Sequence, residues 1–112
     1  MGTWHFYLDE AMVDSGSMDC MFHSSIAQGI GIKIESGRRE VRTGISGVTN
    51  DVWVHPILLY VGTDMFQIEA SFSNNLPIAG LLGRNGFFEY YKITFDPSTN
   101  PPELELERLY RA

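Results

Sequence analysis

The chain has 112 residues, of which 44% are hydrophobic and 20% are charged, and its formal net charge is −6. This length predicts one domain, residues 1–112, with a single modest core, and the composition excludes a disordered, charge-dominated chain. With only eight lysines and arginines the chain is a poor candidate for nucleic-acid binding, and no apolar run approaches the ~20 residues of a membrane-spanning helix.

Short strands are predicted along most of the chain. In chain order they are residues 4–13, 31–34, the two arms of a glycine-tipped hairpin over 38–54, 52–62, 65–72 and 104–107, with turns at 62–64 and 73–75 and a loop over 96–102. The clearest pattern is the alternation of Phe66, Ile68, Ala70 and Phe72 with more polar residues, which is typical of a half-buried strand. Pro56 cannot donate a backbone hydrogen bond, so we expect it at a bulge or a strand edge.

Two segments are predicted to be helical. The first is residues 24–28, which end at Gly29, and the second is residues 86–91. The predicted fold class is therefore all-β, a barrel or sandwich of short strands with one short helix in the C-terminal part, near Phe87.

Residues 12–17 form the segment with the most chemical interest. An apolar strand runs directly into Asp14, Ser15, Gly16 and Ser17. Such a strand would carry the Asp14 carboxylate to the end of a sheet, Gly16 would let backbone pass close behind it, and the Ser15 hydroxyl would hold the loop rigid. By itself the same sequence is also a good turn or helix N-cap.

Two further segments accompany it. The hairpin tip reads Gly44-Ile45-Ser46-Gly47, which by itself is an ordinary flexible loop. The other reads Leu81-Leu82-Gly83-Arg84-Asn85, which by itself is a buried strand that ends at the start of a helix.

In this order and spacing, the three segments resemble those of the retroviral and retroviral-like aspartic proteases, the retropepsins. The run from Phe87 to Asp96 is most similar to the bacterial members, and the resemblance covers about residues 11–96. It implies an aspartic endopeptidase in which two carboxylates share one proton and activate a water. Only Asp14 has the Asp-Ser-Gly context, so one copy cannot build this pair, whereas a two-fold homodimer sets Asp14 opposite its own copy.

The resemblance also implies roles for the other residues. Ser15, Gly16 and Ser17 would support the active-site loop, and residues 44–47 (Gly44, Ile45, Ser46 and Gly47) would form a flap over a peptide substrate. Ile78 and Leu81, and also Ile45, would line apolar substrate pockets. Arg84 and Asn85 would support the site structurally.

The chain departs from the retroviral pattern in two places. The acid that pairs with the matching arginine in those enzymes is replaced by Met18, so either Asp19 pairs with Arg84 or Arg84 has a different partner. Asp14 also has fewer residues before it than in those relatives, so we expect the N-terminal interface strand to be absent or replaced. Leu104 and Leu106 would then supply the interface, unless the chain is a fragment with a weaker or swapped dimer.

We expect structural roles for the histidines and for the single cysteine. His5, His23 and His55 lie on different elements, Cys20 is expected to be a buried small hydrophobe, and no metal or other cofactor is expected. A single cysteine and the lack of a signal-peptide pattern predict a cytoplasmic protein. Two other functions stay open: a catalytically inactive retropepsin-like module for dimerisation or peptide binding, and an unrelated small β-barrel binding protein.

Overall fold

The computed structural model of the protein describes residues 8, 10–43 and 47–110. About half of these residues lie in strands, which confirms the expected all-β class. In chain order the elements are β1 (Met12–Val13), β2 (Met21–His23), α1 (Ser24–Gly29), a 3₁₀ turn (Ile34–Ser36), β3 (Arg38–Thr43), β4 (Thr49–Val61), β5 (Asp64–Ser73), β6 (Gly80–Leu82), β7 (Tyr91–Asp96) and β8 (Glu103–Arg108).

Six strands form one mixed sheet in the order β1-β6-β2-β5-β4-β3, and β7 and β8 form a separate two-stranded ribbon. β6 runs parallel to β1 and antiparallel to β2, so it lies between two strands that are consecutive in the chain. The loop that joins β1 to β2 contains Asp14 and therefore passes across the end of β6. This crossing brings residues 12–17 and residues 81–85, two of the three segments singled out in the sequence, to one end of the sheet.

The long hairpin of β4 and β5 forms the middle of the sheet. Its two strands are joined by Gly62 and Thr63, where Gly62 has a φ of +59° that favours glycine. β3 pairs only with residues 49–54 of β4. Beyond Val54 that side of β4 is a sheet edge, so Pro56 lies at a strand edge, as the sequence predicts.

The main hydrophobic cluster lies on one face of this sheet. Phe66, Ile68, Ala70 and Phe72 are all buried, as their alternation predicts, and they pack with residues of the helix and of the turns before β7. The half-buried pattern does not hold at Ser71, which lies on the opposite face of the strand and yet is only 2% exposed. Its register neighbours on the adjacent strands, Val54 and Met21, cover it from both sides.

The helix positions differ from the prediction. Residues 24–29 are helical, which confirms the first predicted helix, but residues 86–90 form turns rather than a helix. Phe88 N and Glu89 N donate to the carbonyls five residues earlier, at 3.2 and 3.1 Å, which is a wider loop than an α-helix makes. Gly86 has a φ of +99°, which no helical residue adopts, so the predicted C-terminal helix is wrong.

Two strand predictions and the barrel alternative also differ from the structure. Residues 31–34 are not a strand, because Gly31 has a φ of +75° and Ile32 N bonds back to Ala27 O of the helix. The described part of the sheet is open, with β1 and β3 at its edges, so it is not a closed barrel. Of the predicted strand 4–13, only Met12–Val13 is a strand, and residues 1–7 and 9 lie outside the described residues.

The β7–β8 ribbon has two unlike faces. In register, Ile93 pairs with Leu106 and Phe95 with Leu104, which makes one face apolar. Glu103, Glu105 and Glu107 alternate with the leucines on the other face and are exposed, as expected for a solvated face. The final strand predicted over residues 104–107 is therefore confirmed within Glu103–Arg108.

Candidate active site

Asp14 lies in the tight loop that follows β1. Its N–H donates to Leu82 O of β6 at 3.0 Å, which continues the β1–β6 pairing by one residue. Its carboxylate Oδ1 accepts a hydrogen bond from Gly16 N at 2.8 Å, and its carbonyl accepts from Ser17 N at 3.2 Å. The side chain is thus fixed at the start of a turn and is half-buried.

The loop after Asp14 rests on the segment that follows β6. Arg84 N donates to Ser17 O at 2.9 Å, and Asn85 N donates to Met18 O at 2.8 Å. Gly83 lies so close that an added Cβ would be 2.2 Å from Asp19 O, so only glycine fits there. Gly83, Arg84 and Asn85 therefore support the loop through their backbone, which is a more specific role than the sequence indicates.

Ser15, Gly16 and Ser17 have three different surroundings. Ser17 Oγ donates to Asp19 O at 2.9 Å and tightens the loop. An added Cβ on Gly16 would be 3.1 Å from Asp14 Oδ1, so a side chain there would crowd the carboxylate. Ser15 is exposed, and its hydroxyl makes no hydrogen bond to any residue that the structure describes.

The sequence leaves open whether Arg84 pairs with Asp19 or with a different acid, and in the structure it does neither among the described residues. Asp19 Oδ2 accepts from Arg42 Nε of β3 at 2.7 Å rather than from Arg84. Arg84 is exposed and forms no ion pair with another described residue. Sequence reasoning missed Arg42, because its contact with Asp19 depends on how the β3–β4 hairpin lies in three dimensions.

Only part of the predicted flap is described. The arms of the hairpin pair as far as Thr43 and Thr49, which confirms the hairpin itself. Gly44, Ile45 and Ser46 lie outside the described residues, whereas Gly47 is exposed with a φ of +79°. The flap role of these four residues stays a prediction.

The two predicted pocket residues lie on and beside β6, and both are half-buried. Leu81 stands in register between Met12 of β1 and Met21 of β2, so these three side chains share one face of the sheet. Ile78 lines an open groove of about 740 Å³ together with Glu10, Ala11, Met12, Ala79 and Gly80. Leu81 does not line that groove, so the structure brings the two residues to neighbouring surfaces rather than to one pocket.

Other titratable and nucleophilic groups near the core have structural surroundings. Cys20 is fully buried as expected, and burial raises the pKa of its thiol to about 11, so it is an unreactive thiol at neutral pH. His23 accepts from Ser25 N and caps the helix, and buried His55 bonds to Ile34 O. His5 lies outside the described residues.

Within the described ranges, no three histidine, cysteine or acidic side chains are grouped to hold a metal ion. Over the same ranges no helix has the length and apolar character to cross a membrane.

Comparisons of the chain with protein-family models, with curated proteins and with solved structures found no match. What remains is the chemistry of the arrangement itself. Asp14 Oδ1 is fixed by a backbone N–H, and Oδ2 accepts no hydrogen bond from a described residue. A carboxylate held in this way can accept a hydrogen bond or a proton from a water molecule.

Proposed function

We propose that the protein is an aspartic endopeptidase that acts as a homodimer and cleaves extended polypeptides with a water held between two Asp14 carboxylates. The observation that carries this proposal is the backbone contact between the Asp14 loop and residues 83–85. Two of the three segments that resemble those of retropepsins, far apart in the sequence, meet around the one aspartate that has the Asp-Ser-Gly context.

The chemistry requires two carboxylates. One takes a proton from the water, while the other, protonated, polarises the carbonyl of the bond to be cleaved. Each chain would supply one Asp14, and a two-fold axis would set the two side chains about 3 Å apart so that they share one proton. Asp14 Oδ1 is fixed by Gly16 N, and Oδ2 accepts no hydrogen bond from a described residue, so the carboxylate is oriented and still has an acceptor for the water.

The exposed side chain of Ser15 is a second observation that supports a dimer. Its side chain is exposed next to Asp14, and its hydroxyl has no partner among the described residues. In the proposed dimer this hydroxyl would bond to the loop of the second copy, directly beneath the two carboxylates. Serine offers the same donor and acceptor as threonine, without the methyl group that would fill the space around it.

The surface next to the loop supports an apolar, extended substrate. Leu81 shares a face of the sheet with two methionines, and Ile78 lines the neighbouring groove. Arg42 connects β3 to the Asp14 loop, which supports a flap role for residues 44–47, the tip of the hairpin that β3 and β4 form. We propose that apolar substrate side chains contact Leu81 and Ile78 while this tip covers the peptide.

The first test is cleavage of a mixed peptide library near pH 5 by wild type and by Asp14→Asn. We expect cleavage on apolar sites by wild type and a loss of at least about a hundredfold in the variant, since the acid-base group is gone. Asp51→Asn is the matched control, because Asp51 is an exposed aspartate of β4 whose ion-pair partner among the described residues is Arg39. This control should cleave as well as wild type.

The other outcomes are informative. Equal cleavage by wild type and Asp14→Asn would mean a contaminant or a different site and would contradict the proposal. No cleavage by any variant, together with a stable dimer, would favour the catalytically inactive dimerisation or peptide-binding module. No cleavage together with a stable monomer would favour an unrelated β-sheet binding protein.

A further inference from the structure

A row of charged side chains runs along one face of β3 and ends at the Asp14 loop. Arg38, Glu40 and Arg42 alternate on this strand and therefore point to the same side. Glu40 accepts from Arg38 at 2.9 Å and from Arg42 at 3.4 Å, and these two bonds lower the pKa of its carboxyl. Arg38 also reaches Glu69 of β5 at 3.3 Å, and Arg42 reaches Asp19 at 2.7 Å.

Among the described ion pairs of this strand, the Arg42–Glu40 pair is also half-buried but longer, at 3.4 Å, and the Arg42–Asp19 pair is the most buried. The two side chains are 32% and 20% exposed, whereas those of Arg39 and Asp51 are 65% and 44% exposed. Water and salt screen a half-buried pair less, and a short charge-assisted bond is stronger than a neutral one. The pair is therefore expected to hold the two segments together, while the exposed pairs contribute little.

The segments that it joins are the end of β3 and the loop that begins at Asp14. On the side of β6, this loop is held by the backbone bonds from Arg84 N and Asn85 N. On the side of β3, among the described residues, the side chain that bonds to it is that of Arg42. Without this bond the loop would be held from one side only.

Ser17 links the ion pair to Asp14. Its Oγ donates to Asp19 O at 2.9 Å, and its N–H donates to Asp14 O at 3.2 Å. A displacement of Asp19 is thus transmitted through one residue to the backbone that orients the Asp14 carboxylate.

We infer that Arg42 is a positioning residue, which holds the Asp14 loop through Asp19 and thereby sets the rate of peptide hydrolysis. The effect on rate rests on the proposed function, whereas the effect on the loop does not. Arg42 touches no reacting group in this scheme. Its removal should therefore lower kcat with little change in KM, because a misoriented carboxylate slows the chemical step without weakening peptide contacts elsewhere.

The test is a double-mutant cycle of Arg42→Gln and Asp19→Asn, with the Arg39–Asp51 ion pair, whose arginine lies on the same strand as Arg42, as the matched control through Arg39→Gln and Asp51→Asn. We expect each site variant to lower kcat about tenfold, the size expected for a hydrogen bond between charged groups. The double variant should be no slower than Arg42→Gln alone, because that variant has already lost the bond to Asp19. The control variants should stay within about twofold of wild type.

Rescue separates positioning from general loss of stability. The reversed pair, Asp19→Arg with Arg42→Asp, should recover part of kcat, and Arg42→Lys should retain more activity than Arg42→Gln. A variant that merely unfolds the sheet would show neither recovery. Additive effects in the cycle, or an Arg42→Gln variant that behaves like Arg39→Gln, would overturn the inference.

Amide exchange tests the loop without any assay of activity. The N–H groups of Ser17, Arg84 and Asn85 report on the loop, and that of Ser71, which bonds to Cys20 O, is an internal control. We expect exchange at the first three to rise about tenfold in Arg42→Gln and in Asp19→Asn, and to be unchanged at Ser71. Unchanged exchange at all four would overturn the inference even if the wild type is active. Absence of cleavage by the wild type would overturn the proposed function and the rate effect, while the exchange cycle would still decide whether Arg42 holds the loop.

Discussion

Gly83 and the Asp14 loop pack backbone against backbone. An alanine at position 83 would bring its Cβ within 2.2 Å of Asp19 O and 2.9 Å of Ser17 O, and both are backbone atoms that cannot rotate away. We therefore predict that Gly83→Ala destabilises the protein by about 1–3 kcal/mol, as overpacking of a tight site does. Chemical denaturation followed by tryptophan fluorescence measures this free energy of unfolding.

Gly47→Asn is the control for that substitution. Gly47 is exposed, its φ is +79°, and an added Cβ would meet nothing within 4 Å. Asparagine tolerates this backbone region, so the variant should lose less stability than Gly83→Ala. An alanine at position 83 that costs no more than this control would mean that the loop is not seated as described.

At the scale of single residues, the sequence predicts which side chains of a strand are buried better than it predicts which residues they contact. The alternation of Phe66, Ile68, Ala70 and Phe72 is a local pattern, and all four residues are buried. The burial of Ser71 and the partner of Asp19 depend on neighbouring strands, and neither can be read from the residues around them. The Arg84 pairing was an open question for the same reason.

Among the elements, the hairpins could be predicted from the sequence, whereas the helix predicted over residues 86–91 does not form. Turn residues and alternation at Gly62-Thr63 are sufficient to define β4 and β5. Residues 86–91 are predicted to be helical, but Gly86 has a positive φ. A Cβ added to Gly86 would lie 3.1 Å from Ile68 Cδ1. This close approach to the core, which is a tertiary constraint, overrides the local preference for a helix.

A hydrogen bond ties β7 to the far end of the β4–β5 hairpin. Tyr91 Oη donates to Asp64 Oδ2 at 2.5 Å, and burial together with this bond raises the pKa of the tyrosine to about 12. Because the folded protein keeps this proton when the unfolded chain, with a pKa near 10, has lost it, stability must fall as pH rises between about 10 and 12.

We predict that Tyr91→Phe reduces this alkaline loss of stability, since phenylalanine has no proton to lose. The measurement is the thermal midpoint of both proteins from pH 8 to pH 11.5. The wild type should fall more steeply above pH 10, while the variant should be less stable than wild type at pH 8, where the bond to Asp64 is intact. Parallel curves would show that Tyr91 does not control this transition.

For the whole molecule, the ribbon of β7 and β8 offers the surface at which we expect a second copy. Its apolar face is exposed, with Phe95 at 62%, Leu104 at 47% and Leu106 at 39%. Pairing of β8 with its own copy along the strand edge would oppose glutamates of like charge, which disfavours that arrangement. The contact that we predict is therefore between apolar faces.

Leu104→Ser with Leu106→Ser should weaken the dimer without unfolding the chain, because both side chains are already exposed in one copy. Sedimentation over a range of concentrations should show a Kd at least about tenfold higher than that of wild type. Glu103→Gln with Glu107→Gln is the control on the opposite face and should leave the dimer intact. An unchanged Kd in the leucine variant would exclude the ribbon as the interface.

At the scale of the whole chain, the sequence predicts the all-β class and a candidate site, but neither the open sheet nor the contacts that support the Asp14 loop. The all-β class follows from the strand patterns, whereas a supporting role of Arg84 and Asn85 near Asp14 is implied by the resemblance and by no local pattern. The open sheet, the ribbon and the support from Arg42 depend on distant packing, which no local pattern encodes.

The central claim is that one active site contains Asp14 from each of two copies, and subunit mixing tests it most directly. Wild type and Asp14→Asn are combined in varied ratio at constant total concentration, allowed to exchange subunits, and assayed for cleavage of the same peptide. If both carboxylates are required, activity follows the square of the wild-type fraction, so an equal mixture retains about a quarter of the wild-type activity. Activity proportional to the wild-type fraction, which gives about half in the equal mixture, would show that each chain acts alone and would contradict the account.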